Sequence, residues 1–216
     1  MSATSTAPNA YARAERNALC DLLQHVGPEQ PTLCEGWRTR DLAAHLVVRE
    51  GRNIIVSAGI TLPALSGITA KAQRKAGARP WLELIEAVRT GPPRGSVMRS
   101  EKLDGTINTI EFFVHHEDVR RAQAGWEPRA LSPEFAEDLF SRLGQFGKRL
   151  VRKSTVGVVG RHTDGREVVL NDGPSPVTIT GDPGEILMCL YRRDHARVTL
   201  GGDPASIATL HKALGG

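Results

Sequence analysis

The stretch that most constrains this chain is the segment TIEFFVHHEDVRRA, Thr109 to Ala122, inside an apolar run that begins at Ile107. Its spacing predicts a helix. Glu111, His115 and Asp118 recur at i, i+4 and i+7, so one narrow stripe carries all three. Ile107, Phe112, Val114, Val119 and Ala122 flank that stripe, while His116, Glu117 and Arg120 point away from it. A Glu, a His and an Asp therefore occupy the middle of the arc that should face the core. Burying two carboxylates costs several kcal/mol unless a cation or several hydrogen-bond donors meet them. A divalent ion would satisfy all three groups at once. The alternative is an arginine partner for the carboxylates and a hydrogen-bonded structural histidine.

A second helix carries a matching anomaly. Between about Arg40 and Glu50, Leu42, Ala44, Leu46 and Val48 define an apolar side, and His45 lies among them. Asp41 sits one turn earlier on the same face, placed to orient His45, and Thr39 reads as the N-cap. His45, Glu111 and His115 make a three-ligand set of the catalytic kind, which leaves a coordination position open for water or substrate. His116 falls about 100° away from His115 around the helix, which argues against it as a ligand. His25, His162, His195 and His211 have no partners at ligand spacing.

The rest of the chain organises around these two helices. A helical pattern over Asn9–Val26 ends at Gly27-Pro28, and further helices are expected over 70–76, 81–90 and from Ser132 to about Arg152. Ser132 serves as N-cap, with Pro133 in the first turn. The central helix is expected to run from Lys102 to Ala124, and Gly59, Pro63 and Gly67 break the segment before residue 70. After Lys153 the period changes to alternation. Strands are expected over 155–161, 167–170, 176–180 and 196–200, with helices over 182–191 and 204–214. The predicted fold class is mainly α: a four-helix bundle over residues 1–152, then a small α+β domain over 153–216.

Composition narrows the function classes. The chain has 216 residues, 40% hydrophobic and 24% charged, as in an ordinary soluble globular protein. No apolar run has the length of a membrane span, and residues 1–8 read as a short polar leader. The expectation is a cytoplasmic protein with no membrane partner, monomeric or homodimeric. The net charge of +4 is modest, and its basic residues are not interleaved with aromatics, so no nucleic-acid partner is expected. Cys20, Cys34 and Cys189 form neither a disulfide framework nor a metal knuckle. Cys34, just ahead of the His45 helix, is read as a buried spectator with a possible approach to the site.

Three strings in order, PTLCEGWRTRDLAAHL, IEFFVHHEDVRRA and GDPGEILMCLYRRDHARVTLGGD, resemble the mycothiol-dependent maleylpyruvate isomerase family. The resemblance covers nearly the whole chain. It implies a DinB-like metal-binding four-helix bundle joined to a small sterol-carrier-like domain. It implies that His45, Glu111 and His115 hold a divalent metal, usually zinc, and that Asp118 assists the metal or a thiol. It further implies that Arg193 reaches the active site to hold an anionic group. Arg192 stands where the family has Gly, and the local turn and the direction of Arg193 depend on it.

The function so implied is a metal-dependent enzyme. It would use a low-molecular-weight, mycothiol-like thiol as cosubstrate, for S-transfer or for thiol-assisted cis–trans isomerisation of an electrophilic small molecule. Coordination would lower the thiol's pKa, the guanidinium of Arg193 would match a carboxylate, and Asp118 would accept or relay a proton. The alternatives are a metal-dependent hydrolase, with water as nucleophile, and a non-catalytic protein that binds metal or an apolar ligand.

Overall fold

The computed structural model describes residues 9–58, 60, 62–100 and 104–215. The leader, the break at Gly59 and the helix start at Lys102 lie outside the described residues. The chain divides into two compact units, Met1–Trp126 and Glu127–Gly216.

The first unit is helical: α1 (Ala10–Val26), α2 (Thr39–Arg49), the short α3 (Ile54–Ala58), α4 (Ser66–Gly77), α5 (Trp81–Thr90) and α6 (Thr109–Arg120). Helices α1, α2, α5 and α6 form a four-helix bundle, and α4 lies along α2. Each of the four supplies apolar residues at helical spacing to one core. Leu19 and Leu23 come from α1, Leu42 and Leu46 from α2, Leu84 and Val88 from α5, Phe112 and Val119 from α6. Truncating a fully buried aromatic such as Phe112 to Ala would cost about 3–5 kcal/mol.

Helix α6 departs from the one-faced amphipathic helix its sequence suggests. All its residues except Glu111 and Arg120 are buried. His116 and Glu117, expected to point to solvent, are inside. The reason is that each finds a polar partner. His116 Nδ1 lies 2.9 Å from Glu15 Oε2 on α1, and Arg121 Nε donates to Glu117 Oε2 at 2.6 Å. A third buried pair ties three helices together. Arg16 of α1 grips Glu50 with both terminal nitrogens at 2.6 Å, and Asn108 Nδ2 donates to Glu50 Oε1 at 2.7 Å. Asn108 closes a π-helical turn, Asp104–Asn108, that leads into α6.

The second unit contains α7 (Pro133–Arg142), which continues through a π-helical turn at Leu143–Gly147 into Lys148–Leu150. Strands β1 (Val158–Arg161), β2 (Glu167–Asn171), β3 (Val177–Thr180) and β4 (Thr199–Gly201) form one sheet in the order β2-β1-β3-β4. β1 pairs antiparallel with β2 and parallel with β3, and β3 pairs antiparallel with β4. Helices α8 (Pro183–Leu190) and α9 (Pro204–Gly215) complete the unit.

The alternation beginning after residue 153 marks where strands start, but the contacts divide at 126/127. The 133–150 helical segment groups with the sheet. Its glycines explain why: a Cβ on Gly147 would come within 2.8 Å of the Leu170 side chain, and one on Gly144 within 3.4 Å of Val168. The small-residue pair lets the helix lie close against β2. The bundle already has its four helices without it.

Helix α8 ends in a turn that bears on Arg193. The amide of Arg193 donates to Met188 O, and that of Arg192 to Cys189 O. This pairing is a Schellman C-cap, whose C′ residue must be left-handed. That residue is Arg192, at φ 62°. The turn is therefore kept although glycine is absent, at the cost of a side chain in a left-handed conformation. Arg192→Gly is expected to stabilise the protein by roughly 0.5–1 kcal/mol, the left-handed penalty less the added unfolded-state freedom of glycine. Urea midpoints of the two proteins, compared at constant slope, check this.

Candidate metal centre

Helix α2 delivers His45 to the bundle interior, where it is buried. Thr39 is the first helical residue rather than the N-cap, and its hydroxyl donates to Gly27 O at 2.6 Å. Asp41 does not orient His45. Its carboxylate accepts the Arg38 amide at 2.9 Å, closing the first turn of the helix. The residue beside His45 Nδ1 is Gln73 of α4, whose Nε2 lies 3.2 Å away. Turning its carboxamide oxygen to that nitrogen would hold a proton on Nδ1 and leave Nε2 free. The indole of Trp37 packs against the other side of the ring, with centroids 5.0 Å apart.

Helix α6 brings Glu111 and His115 to the same point. His45 Nε2 lies 3.4 Å and His115 Nε2 3.2 Å from Glu111 Oε1, and the two rings meet edge to face at 5.3 Å. One ligand atom from each residue falls within 4.8 Å of the other two. An ion about 2.0–2.1 Å from each atom in tetrahedral geometry separates its ligands by roughly 3.3 Å. The donor set, two imidazoles and a carboxylate, and its spacing thus fit a divalent ion such as zinc. Glu111 keeps 19% of its side-chain surface exposed, so the point where the donors converge is not sealed.

Asp118 and Cys34 stand on the far side of His115. Asp118 is fully buried, and His115 Nδ1 donates to its Oδ2 at 2.9 Å. Cys34 Sγ donates to the same oxygen at 3.2 Å and lies 3.9 Å from His115 Nδ1. Cys34 therefore belongs to the site and is not a spectator. The Asp118–His115 contact fixes the ring with Nε2 toward Glu111, the arrangement typical of metal-binding histidines.

The electrostatics show how these charges are tolerated without a metal. Arg49 Nε lies 3.0 Å from Glu111 Oε1, one turn along α2 from His45. Burial alone would push the Glu111 carboxyl up, but His115, His45 and the Arg49 guanidinium reverse this and hold it well below the usual carboxylate range. Burial likewise opposes protonation of His115, yet its hydrogen bonds to Asp118, Cys34 and Glu111 hold it well above the ordinary histidine value. His45 is pushed down, chiefly by burial. A protonated His115 between two carboxylates, with Arg49 beside it, balances the site.

The stripe on α6 thus brings Glu111, His115 and Asp118 together, and α2 adds His45. Sequence spacing could have found Arg49, at i+4 from His45, but the alternation of apolar residues hid it. Gln73 gave no signal, because α4 is placed only by packing. Arg193 lies in the second unit, just beyond α8, where its guanidinium donates to Tyr191 O at 2.7 Å. His116 binds Glu15 and takes no part in the cluster.

No family model matches the sequence, and no curated protein matches it. The fold does match solved structures. The crystal structure of a mycothiol-dependent maleylpyruvate isomerase aligns with a TM-score of 0.60 at 14% identity, covering 90% of this chain and 91% of that one. A mutant of that enzyme aligns equally well, at 13% identity over the same shares. At this identity the likeness shows a shared fold, one that extends over both units. Among the described residues, no helix is long and apolar enough to cross a membrane.

The raised proton affinity of His115 sets the sign of two pH dependences. In the metal-free protein, the stabilisation from this proton is complete below the unfolded value near 6.5 and is lost as pH rises through the raised folded pKa. A metal bound at His115 Nε2 would have to displace the same proton, so its affinity would move the other way. Zinc affinity, measured by chelator competition, is expected to tighten up to about tenfold per pH unit above 6.5 until His115 titrates. His115→Asn should flatten both slopes.

Proposed function

We propose that this protein is a divalent-metal-dependent enzyme that uses a low-molecular-weight thiol, of the mycothiol type, to act on an electrophilic small molecule. The reaction class is S-transfer or thiol-assisted cis–trans isomerisation. The observation that carries this reading is the convergence of His45 Nε2, His115 Nε2 and Glu111 Oε1, with both histidine nitrogens near tetrahedral-edge distance from the carboxylate oxygen. The likeness in fold to a mycothiol-dependent isomerase supports the thiol as cosubstrate.

His45, Glu111 and His115 would hold the ion, which when bound would supply a Lewis acid able to lower the pKa of a thiol ligand toward neutral. The charges of the chain's own residues favour an anion as the remaining ligand. With His115 neutral, Glu111 and Asp118 carry two negative charges and Arg49 one positive. With a divalent ion held there the sum would be one positive charge, which an anionic thiolate would cancel and a neutral ligand would not. Asp118 holds the His115 Nδ1 proton and so keeps Nε2 as a donor to metal. Since Asp118 is fully buried and engaged there, its role is to hold His115 rather than to shuttle a substrate proton. Trp37 and Gln73 fix the ring of His45. Arg193 is proposed to bind an anionic group of the electrophile.

Metal content and turnover test the reading together. Purified wild type is expected to hold one equivalent of a divalent ion, and His45→Ala to bind it on the order of a hundredfold or more weakly, since a lost ligand costs at least as much as a lost supporting contact. With maleylpyruvate or a thiol-reactive electrophile, turnover should require both metal and added thiol. Arg193→Ala should raise KM for anionic electrophiles more than for neutral ones. Metal-dependent turnover in the absence of any thiol would instead identify a hydrolase.

A further inference from the structure

Cys34 is not at a ligand position in the convergence of His45, Glu111 and His115, yet its sulfur is built into the far side of that site. It sits in the loop between α1 and α2, which is held in one shape by its own contacts. Pro31 bridges Arg38, Trp37 N donates to Cys34 O at 2.9 Å, and Thr32 Oγ1 accepts from Cys34 N at 3.2 Å. The same hydroxyl donates to Trp37 O at 3.0 Å. The loop then grips α6 twice at one residue. Leu33 N donates to the Asp118 backbone carbonyl at 3.0 Å, and Cys34 Sγ donates to the Asp118 carboxylate. From the same loop Trp37 reaches His45. One short segment thus touches the supports of both histidines.

We propose that Cys34 is a positioning residue for the metal centre: its thiol, donating to Asp118 Oδ2, holds the carboxylate that keeps His115 turned with Nε2 toward Glu111 and His45. This rests on the metal-dependent reading above. The physical basis is that two donors, His115 Nδ1 and Cys34 Sγ, converge on one oxygen of a carboxylate with no access to water. Removing the sulfur donor takes away one of the two contacts converging on that oxygen, and metal affinity falls because the His115 ligand is less firmly preset. The thiol is a donor in this role, so a hydroxyl of similar reach replaces it and an isosteric apolar group does not.

The test compares the whole protein as wild type, Cys34→Ser and Cys34→Val, each loaded with cobalt(II) and with zinc. Cys34→Ser is expected to bind zinc within about threefold of wild type, and Cys34→Val about tenfold more weakly, the lower end of what outer contacts contribute. The visible cobalt spectrum should be alike in wild type and Cys34→Ser and altered in Cys34→Val. Metal-free thermal unfolding of all three separates this from a general loss of fold. Equal zinc affinity in wild type and Cys34→Val overturns the positioning role alone. A near-ultraviolet sulfur-to-cobalt band in wild type that vanishes in Cys34→Ser overturns it differently, making Cys34 a ligand. Wild type that binds neither ion overturns the metal reading itself, and this role with it.

Discussion

The structure depends on how two carboxylates of one helix are neutralised inside the bundle. Glu111 and Asp118 lie on α6 with His115 between them, and the imidazole touches both, Nε2 toward one and Nδ1 toward the other. An unpaired carboxylate at this depth would cost several kcal/mol. The bundle meets the cost with the Arg49 guanidinium and the proton of His115; a divalent ion at the same point would meet it in place of that proton.

The same logic runs through the rest of α6, where Glu15 faces His116 and Arg121 faces Glu117. Next to it, Arg16 and Asn108 share Glu50. In the two arginine pairs a permanent cation meets its carboxylate at hydrogen-bond distance. The His45–Glu111–His115 convergence differs because two neutral-capable imidazoles and one partly exposed carboxylate meet with only one permanent cation among them. That difference separates a candidate site from structural ion pairs more sharply than burial does, since the buried charges of α6 pass any burial criterion.

Much of this was legible in the sequence, and what was not has identifiable causes. The i, i+4, i+7 spacing of Glu111, His115 and Asp118 needs only helical geometry, and the structure keeps it. The polar residues on the opposite side of α6 misled, because periodicity reports one apolar arc and cannot show that a helix is enclosed on all sides by neighbours carrying counter-charges. Asp41 misled for a local reason: a carboxylate in the first turn of a helix serves the nearby Arg38 amide before it can serve a histidine four residues on. The helix after Ser132 was recognisable, but its allegiance was written in Gly144 and Gly147, whose meaning depends on the strand they meet.

Arg192 shows that a left-handed helix C-cap can be kept without glycine. A glycine is the easy occupant of a left-handed C′ position, and its absence suggests that the turn has changed. Here both Schellman hydrogen bonds persist, and the backbone of Arg192 takes the left-handed conformation instead. The local hydrogen bonds and the packing of α8 therefore outweigh a penalty of about 1–2 kcal/mol. The Arg192 side chain recovers part of it by donating to Gly215 O at 3.2 Å, tying the end of α9 to the end of α8. Arginine at this position thus adds a cost to the turn and a contact to Gly215, with both C-cap hydrogen bonds in place before Arg193.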